Sequence, residues 1–296
     1  MPGITQADLA ALVYDCFLHD TNALKPGNVG RHGAGHGMDC ADFLRSAEVV
    51  TPILCDRRRG LGERILASVA ATRAAVGCNT NLGMILLLAP IIRVCEQHGS
   101  TAYFRRRVGA VLRALGRGES QTIFTAIRSA NPGGLGRVER YDVNSLPDID
   151  VCTAMDAAKD HDLIARQYAN GYREVAHLGV NCLQKYHRKW RSVEWAVVSC
   201  YLVYLGSFPD SHIRRKHGSS IAQEVQDRAI PLFQQFVGYD NPEDARAVLL
   251  SFDRELKEAE LNPGACADLT VASLFLYRLG RDCRSVETVA GSGKDR

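Results

Sequence analysis

Four segments of this 296-residue chain gather residue types that do chemistry. The first is LKPGNVGRHGAGHGM at 24–38, where glycines at 27, 30, 33, 35 and 37 alternate with Lys25, Arg31, His32 and His36. Such glycines bare backbone N–H groups and allow close approach, while the cations between them suit phosphate oxygens. The glycine positions fit neither a Walker A loop nor a dinucleotide fingerprint. GSGK at 291–294 lacks both a glycine at 288 and a following Ser or Thr, so it is no phosphate loop either. Lys25 stands beside Pro26 and Gly27, so its truncation is expected to leave no core cavity. The second segment, CNTNLG at 78–83, offers Asn79, Thr80 and Asn81 as caps for a helix starting near Leu82. Capping occupies one of the three. Capping alone, and capping together with ligand contact at the helix N-terminus, both stay open.

The third segment is PDSHIRRKHG at 209–218. It reads either as a solvated basic turn or as an acid, Asp210, set beside cations to hold Mg²⁺ with bound phosphates. The fourth is NPGACADLT at 262–270. Asn262 as N-cap and Pro263 at the first helical position account for a helix start. They do not account for Asp268, one turn inside an apolar helix, which must face water or find a partner.

The elements that carry these segments read as helices throughout. Apolar stripes predict helices over about 5–19, from a cap at Asp39 or Asp42 to Leu54, and over 61–76, 82–96, 103–115, 121–129, 153–184, 193–205, 219–236, 242–260 and 263–279, with Pro90 kinking or dividing the fourth. Alternating strand patterns are absent. The expected fold is all-α: a single compact multi-helix domain over 1–296, frayed from about 281, with glycine-rich loops forming an inter-helix cleft. That cleft should gather 24–37, 78–83, 131–142, 209–218 and 262–268, since a ligand site needs convergent polar groups.

Composition excludes several classes. Hydrophobic residues at 46% and charged residues at 23% rule out a wholly disordered chain. A net charge of +3 gives no dedicated nucleic-acid surface. The apolar runs 84–92 and 195–205 are too short for a bilayer, and the N-terminal segment lacks a basic n-region, so the chain reads as soluble and cytoplasmic. Ten cysteines without a C-x-x-C pair read as buried, reduced thiols.

Together, and in this order, the segments resemble the triphosphoribosyl-dephospho-CoA synthase family over about residues 10–280. The family's KPG-x-V-x-R segment appears as Lys25 to Arg31 with Gly35-His36, and its N-T-x-x-G helix start as Asn79 to Gly83. Its D-[ST]-[NH]-[IV] segment appears as Asp210 to Ile213, and its PG-x-x-A-D-L helix as Pro263 to Leu269. Two positions depart. Members serving citrate lyase read N-T-H-K-G where this chain has Asn81-Leu82, and D-M where it has Gly37-Met38. The chain therefore looks like a divergent branch.

The resemblance implies an all-helical cytoplasmic pentosyltransferase. Such an enzyme joins the triphosphoribosyl group of ATP to a hydroxyl of 3′-dephospho-CoA and releases adenine, for prosthetic-group biosynthesis. A different acceptor, as in methanopterin-type cofactor biosynthesis, is the alternative. The reaction develops positive charge at the ribose anomeric carbon. On this basis Lys25, Gly27, Arg31, Arg215, Lys216 and His212 are expected at phosphates. Asn79, Thr80 and Asn81 are expected at the ribose or base. Asp210 and Asp268 are expected as catalytic and Mg²⁺-binding carboxylates, with Asp142 a third ligand and His36 the base. Oligomeric state stays open, a homodimer among the options. Two rivals are a non-catalytic helical nucleotide-binding protein and an ADP-ribosyl hydrolase. The latter should show a G-D-x-x-G metal motif, which the chain lacks.

Overall fold

The structure, a computed structural model, describes residues 4–133, 145–146 and 148–291, with side chains to residue 281. Among them lie fourteen α-helices and no strand, as the periodicity predicts. In the first half these are α1 Gln6–Asn22, α2 Cys40–Leu54, α3 Leu61–Val76, α4 Leu82–His98, α5 Phe104–Arg113, α6 Arg117–Ala130 and α7 Val151–Ala158. The second half holds α8 Leu163–Asn170, α9 Val180–Trp190, α10 Val193–Ser207, α11 Ser211–His217, α12 Ser219–Gly238, α13 Arg246–Glu258 and α14 Gly264–Gly291.

The two apolar runs are α4 and α10, buried on every face as helices without a polar side must be. Beside them α14 packs against α1, α4, α10 and α9. It thus carries the fourth chemical segment into the middle of the fold. No helix is long and apolar enough to cross a membrane among the described residues. Cys55, Cys182, Cys200 and Cys266 are buried thiols. Burial pushes Cys55 and Cys182 up to about 12.

Boundaries differ from the pattern in three places. Pro90 sits within an unbroken α4. The helix expected over 153–184 is four pieces, because Asp162 caps α8 and Gly171, at φ +68, ends it. A π-helical turn, Glu174–Gly179, then runs into α9. The basic segment after α10 is itself a helix, α11, begun by Asp210. The backbone of α14 continues past the expected end near Leu279, since no proline interrupts 280–291.

Candidate active site

A cleft of about 740 Å³ opens between α3, α4, α6, α7, α8, α11 and the start of α14. Each expected segment reaches it, through Asn28, His36 and Gly37, through Cys78 to Gly83, through Asn131 to Gly133, through His212, Arg215 and Lys216, and through Asn262 to Asp268. One wall is apolar, with Phe43, Val69, Met84, Phe124, Ile127 and Met155. The other is polar. Such a cavity suits a ligand with one flat apolar part and one charged part.

The glycine loop is clasped to α13. Asp253 Oδ1 accepts from Gly27 N–H at 2.8 Å, and Lys257 Nζ donates to Asp253 Oδ2 at 2.9 Å and to Gly33 O at 3.2 Å. Gly27 has φ +79, and a Cβ there would lie 2.8 Å from Leu261 O, so only glycine fits. Its role is to shape the loop; it does not line the cleft. His36 does, in a left-handed backbone at φ +57. Its Nε2 stands 3.0 Å from Gly27 O. A carbonyl can only accept, so in the neutral ring Nε2 carries the proton and Nδ1 keeps its lone pair. Burial, with Lys216 and Lys257 nearby, holds the ring below the usual histidine pKa. A neutral imidazole with a free Nδ1 is the form a general base requires.

At the start of α4 the three capping candidates divide the work. Asn81 holds the N-cap position without a side-chain cap bond, and Asn79 Oδ1 caps from outside it, accepting from Leu82 N–H at 3.1 Å. Thr80 Oγ1 lies 2.7 Å from Ser46 Oγ of α2, and Asn81 Oδ1 accepts from Thr72 Oγ1 of α3 at 3.0 Å. All three line the cleft, with their helix fixed to two neighbours.

Asp268 faces this helix start. A Cβ on Gly83 would stand 2.0 Å from Asp268 Oδ2, so the glycine of the second segment makes room for the carboxyl of the fourth. That carboxyl makes no hydrogen bond or ion pair with a described side chain. Burial pushes its pKa well above the carboxylate range, and the charges of Asp20 and Asp210 add to this against Lys25 and Arg215. It is a half-buried carboxyl aimed at whatever the cleft holds.

The remaining site residues depart from expectation. Asp210 does not line the cleft. Its Oδ1 accepts from His212 and Ile213 N–H at 2.8 and 3.1 Å, and its Oδ2 from Cys266 N–H at 2.8 Å. It clamps the starts of α11 and α14 together. Lys25 is buried, its Nζ 2.5 Å from Asp20 Oδ1, and it too is absent from the lining. Its ammonium is thus committed to Asp20, where an exposed loop cation was expected. Arg31 is exposed and outside the cleft. Asp142 lies outside the described residues.

On α11, Arg215 Nη1 donates to Asp162 Oδ2 at 2.5 Å, and the other oxygen of Asp162 caps α8. Lys216 is exposed at the cleft with no ion pair to a described residue. His212 packs so closely on α14 that a Cβ on Gly264 would fall 2.4 Å from its Nδ1. Burial, with Lys216 and Arg215 beside it, pushes its pKa down to about 3, so it meets a ligand as a neutral ring. Sequence reasoning missed Asn28, Ser46, Thr72 and Asp162. Asn28 Nδ2 donates to Asn262 Oδ1 at 2.9 Å and ties the glycine loop to α14. Ser46 and Thr72 gave only the faint signal of small polar residues on the apolar stripes of α2 and α3, and Asp162 that of an acid before a helix start.

No cluster of three His, Cys, Asp or Glu able to hold a metal is present among the described residues. A Mg²⁺ shared with substrate phosphates needs only one or two carboxylates, and Asp268 supplies an uncommitted one. The oxygens of Asp210 already serve three backbone amides.

The all-helical fold thus brings a carboxyl, an imidazole and cations to one partly apolar cleft, the arrangement of a small-molecule site. The family model for ATP:dephospho-CoA triphosphoribosyl transferase matches residues 6–286, and the chain belongs to that family of pentosyltransferases. No curated protein and no solved structure matches it.

Proposed function

We propose that the cleft binds ATP and an alcohol acceptor, 3′-dephospho-CoA in the family, and transfers the triphosphoribosyl group with release of adenine. The observation that carries this is the uncommitted carboxyl of Asp268 against Gly83, at the point where all five segments meet. In the reaction the bond from ribose C1′ to adenine breaks and a bond from C1′ to the acceptor oxygen forms. The hydroxyl proton passes to His36 Nδ1, and the departing adenine takes up a proton. Asp268 opposes the positive charge that grows at the ribose. Lys216 and Arg215 meet the phosphates at the mouth. Asn79, Thr80 and Asn81 hold the ribose or base from the start of α4. Mg²⁺, when bound, would spread the triphosphate charge, and Asp268 is the residue able to hold it. We place the reaction in the cytoplasm, where buried reduced thiols such as Cys200 persist.

A different acceptor is favoured by one observation. Where relatives serving citrate lyase carry a His-Lys pair, Asn81 and Leu82 are both buried, so a cation that could meet acceptor phosphates is missing. The test is incubation with ATP, Mg²⁺ and either dephospho-CoA or a panel of other alcohols. Free adenine should appear in equal amount with a triphosphoribosylated acceptor. Adenine release that needs no acceptor, or none with any alcohol, would refute the proposal.

A further inference from the structure

A second cavity, of about 400 Å³, lies between the end of α9 and the later part of α14. It is lined by Gln184, His187, Arg188, Arg191, Tyr277 and Arg281. Thirteen residues of α14, about 20 Å at 1.5 Å per residue, separate Arg281 from Asp268, so it is not an extension of the cleft.

Its chemistry is one-sided. Three arginines line it, and among the described residues the lining holds no carboxylate. Arg188 and Arg191 form no ion pair with a described residue, and the nearby Arg278 is taken by Asp15 at 2.8 Å. Arg281 is held without an acid: Nη1 donates to His187 Nδ1 at 2.9 Å and to Tyr277 Oη at 3.2 Å. The Tyr277 hydroxyl lies 2.9 Å from the same ring nitrogen. His187 Nδ1 is therefore an acceptor, and its proton sits on Nε2, another donor. Burial and the charges of Arg281, Arg278 and Arg191 push this ring's pKa below the usual histidine value. Arg191 ends α9 in a left-handed backbone at φ +55, where glycine is the ordinary choice.

We infer that this pocket is a second anion site, which takes a phosphate or pyrophosphate group away from the reacting cleft. Planar guanidinium forks recognise such oxyanions in pairs, and the lining offers donors on three sides. The inference does not depend on the reaction proposed for the cleft.

Pyrophosphate titrated at constant ionic strength should move the ring-proton NMR signals of His187, assigned through His187→Gln. Saturation is expected below about 1 mM, weakened at least about tenfold in Arg188→Gln/Arg191→Gln, because charge-assisted hydrogen bonds are lost. Arg281→Gln should weaken it as well and serves if the double variant folds poorly. An equal response to chloride, meaning an adventitious ion only, would overturn the inference. So would no saturation by about 10 mM, or variants that titrate like the parent.

Discussion

Gly83→Ala separates the catalytic reading of Asp268 from a scaffolding one. The new methyl would sit 2.0 Å from Asp268 Oδ2 and 2.6 Å from its Cγ, where side chains essentially never come closer than 3.0 Å. The backbone of α4 cannot yield, because Asn79 caps it and Asn81 holds it to α3. The carboxyl must therefore retreat by about 1 Å, a displacement that costs of order 100-fold in rate when the group acts on the reacting atoms. Stability should change little. Alanine gains up to about 1 kcal/mol over glycine inside a helix, and the overpacking takes back a similar amount. The assay is adenine release from ATP per folded molecule, beside a thermal melt. Turnover within about threefold of the parent, with an unchanged melting temperature, would refute the placement of Asp268 at the reaction centre.

Asp268→Asn should melt like the parent, since no hydrogen bond to a described residue depends on its charge, while adenine release falls by orders of magnitude. If turnover survives, the carboxyl belongs to the scaffold. Lys25→Met should cost about 3–5 kcal/mol in denaturant unfolding by leaving the buried Asp20 carboxyl without its partner, and Asp20→Asn in the same chain should restore most of it. A Lys25 variant that keeps its stability and loses only ATP affinity would return Lys25 to the phosphates. His212 takes a proton near pH 6.5 when unfolded but only near 3 when folded, so between those values the unfolded state binds more protons and stability falls as pH drops. In His212→Gln the loss between pH 6.5 and 4.5 should shrink by up to about 2 kcal/mol, and an identical slope in parent and variant would rule this out.

What the sequence showed and what it hid divide along a physical line. Helices, their caps and the meeting of the five segments were legible, because apolar spacing and motif chemistry are local properties. Asn79 could be read as a cap, and Asp268 as a carboxylate that capping did not explain. Direction and depth were not legible. Lys25 and Arg31 are both cations of one glycine loop, yet one points into the core toward Asp20 and the other into solvent. The choice is made by α1, which ends at Asn22, nine residues before Arg31, and places Asp20 beside Lys25, a contact no local pattern encodes. Asp210 carries the same lesson. Its type suggested a metal ligand, but its oxygens are spent on amides of two helices distant in sequence. The glycines mark the difference most clearly: Gly83 and Gly264 stand in the first turns of α4 and α14, and each is a gap cut for a side chain of another segment, Asp268 and His212. In this fold the ordered motifs are therefore not four separate ligand sites. They are complementary surfaces, and a substitution in one is felt through the side chain that another presents to the cleft.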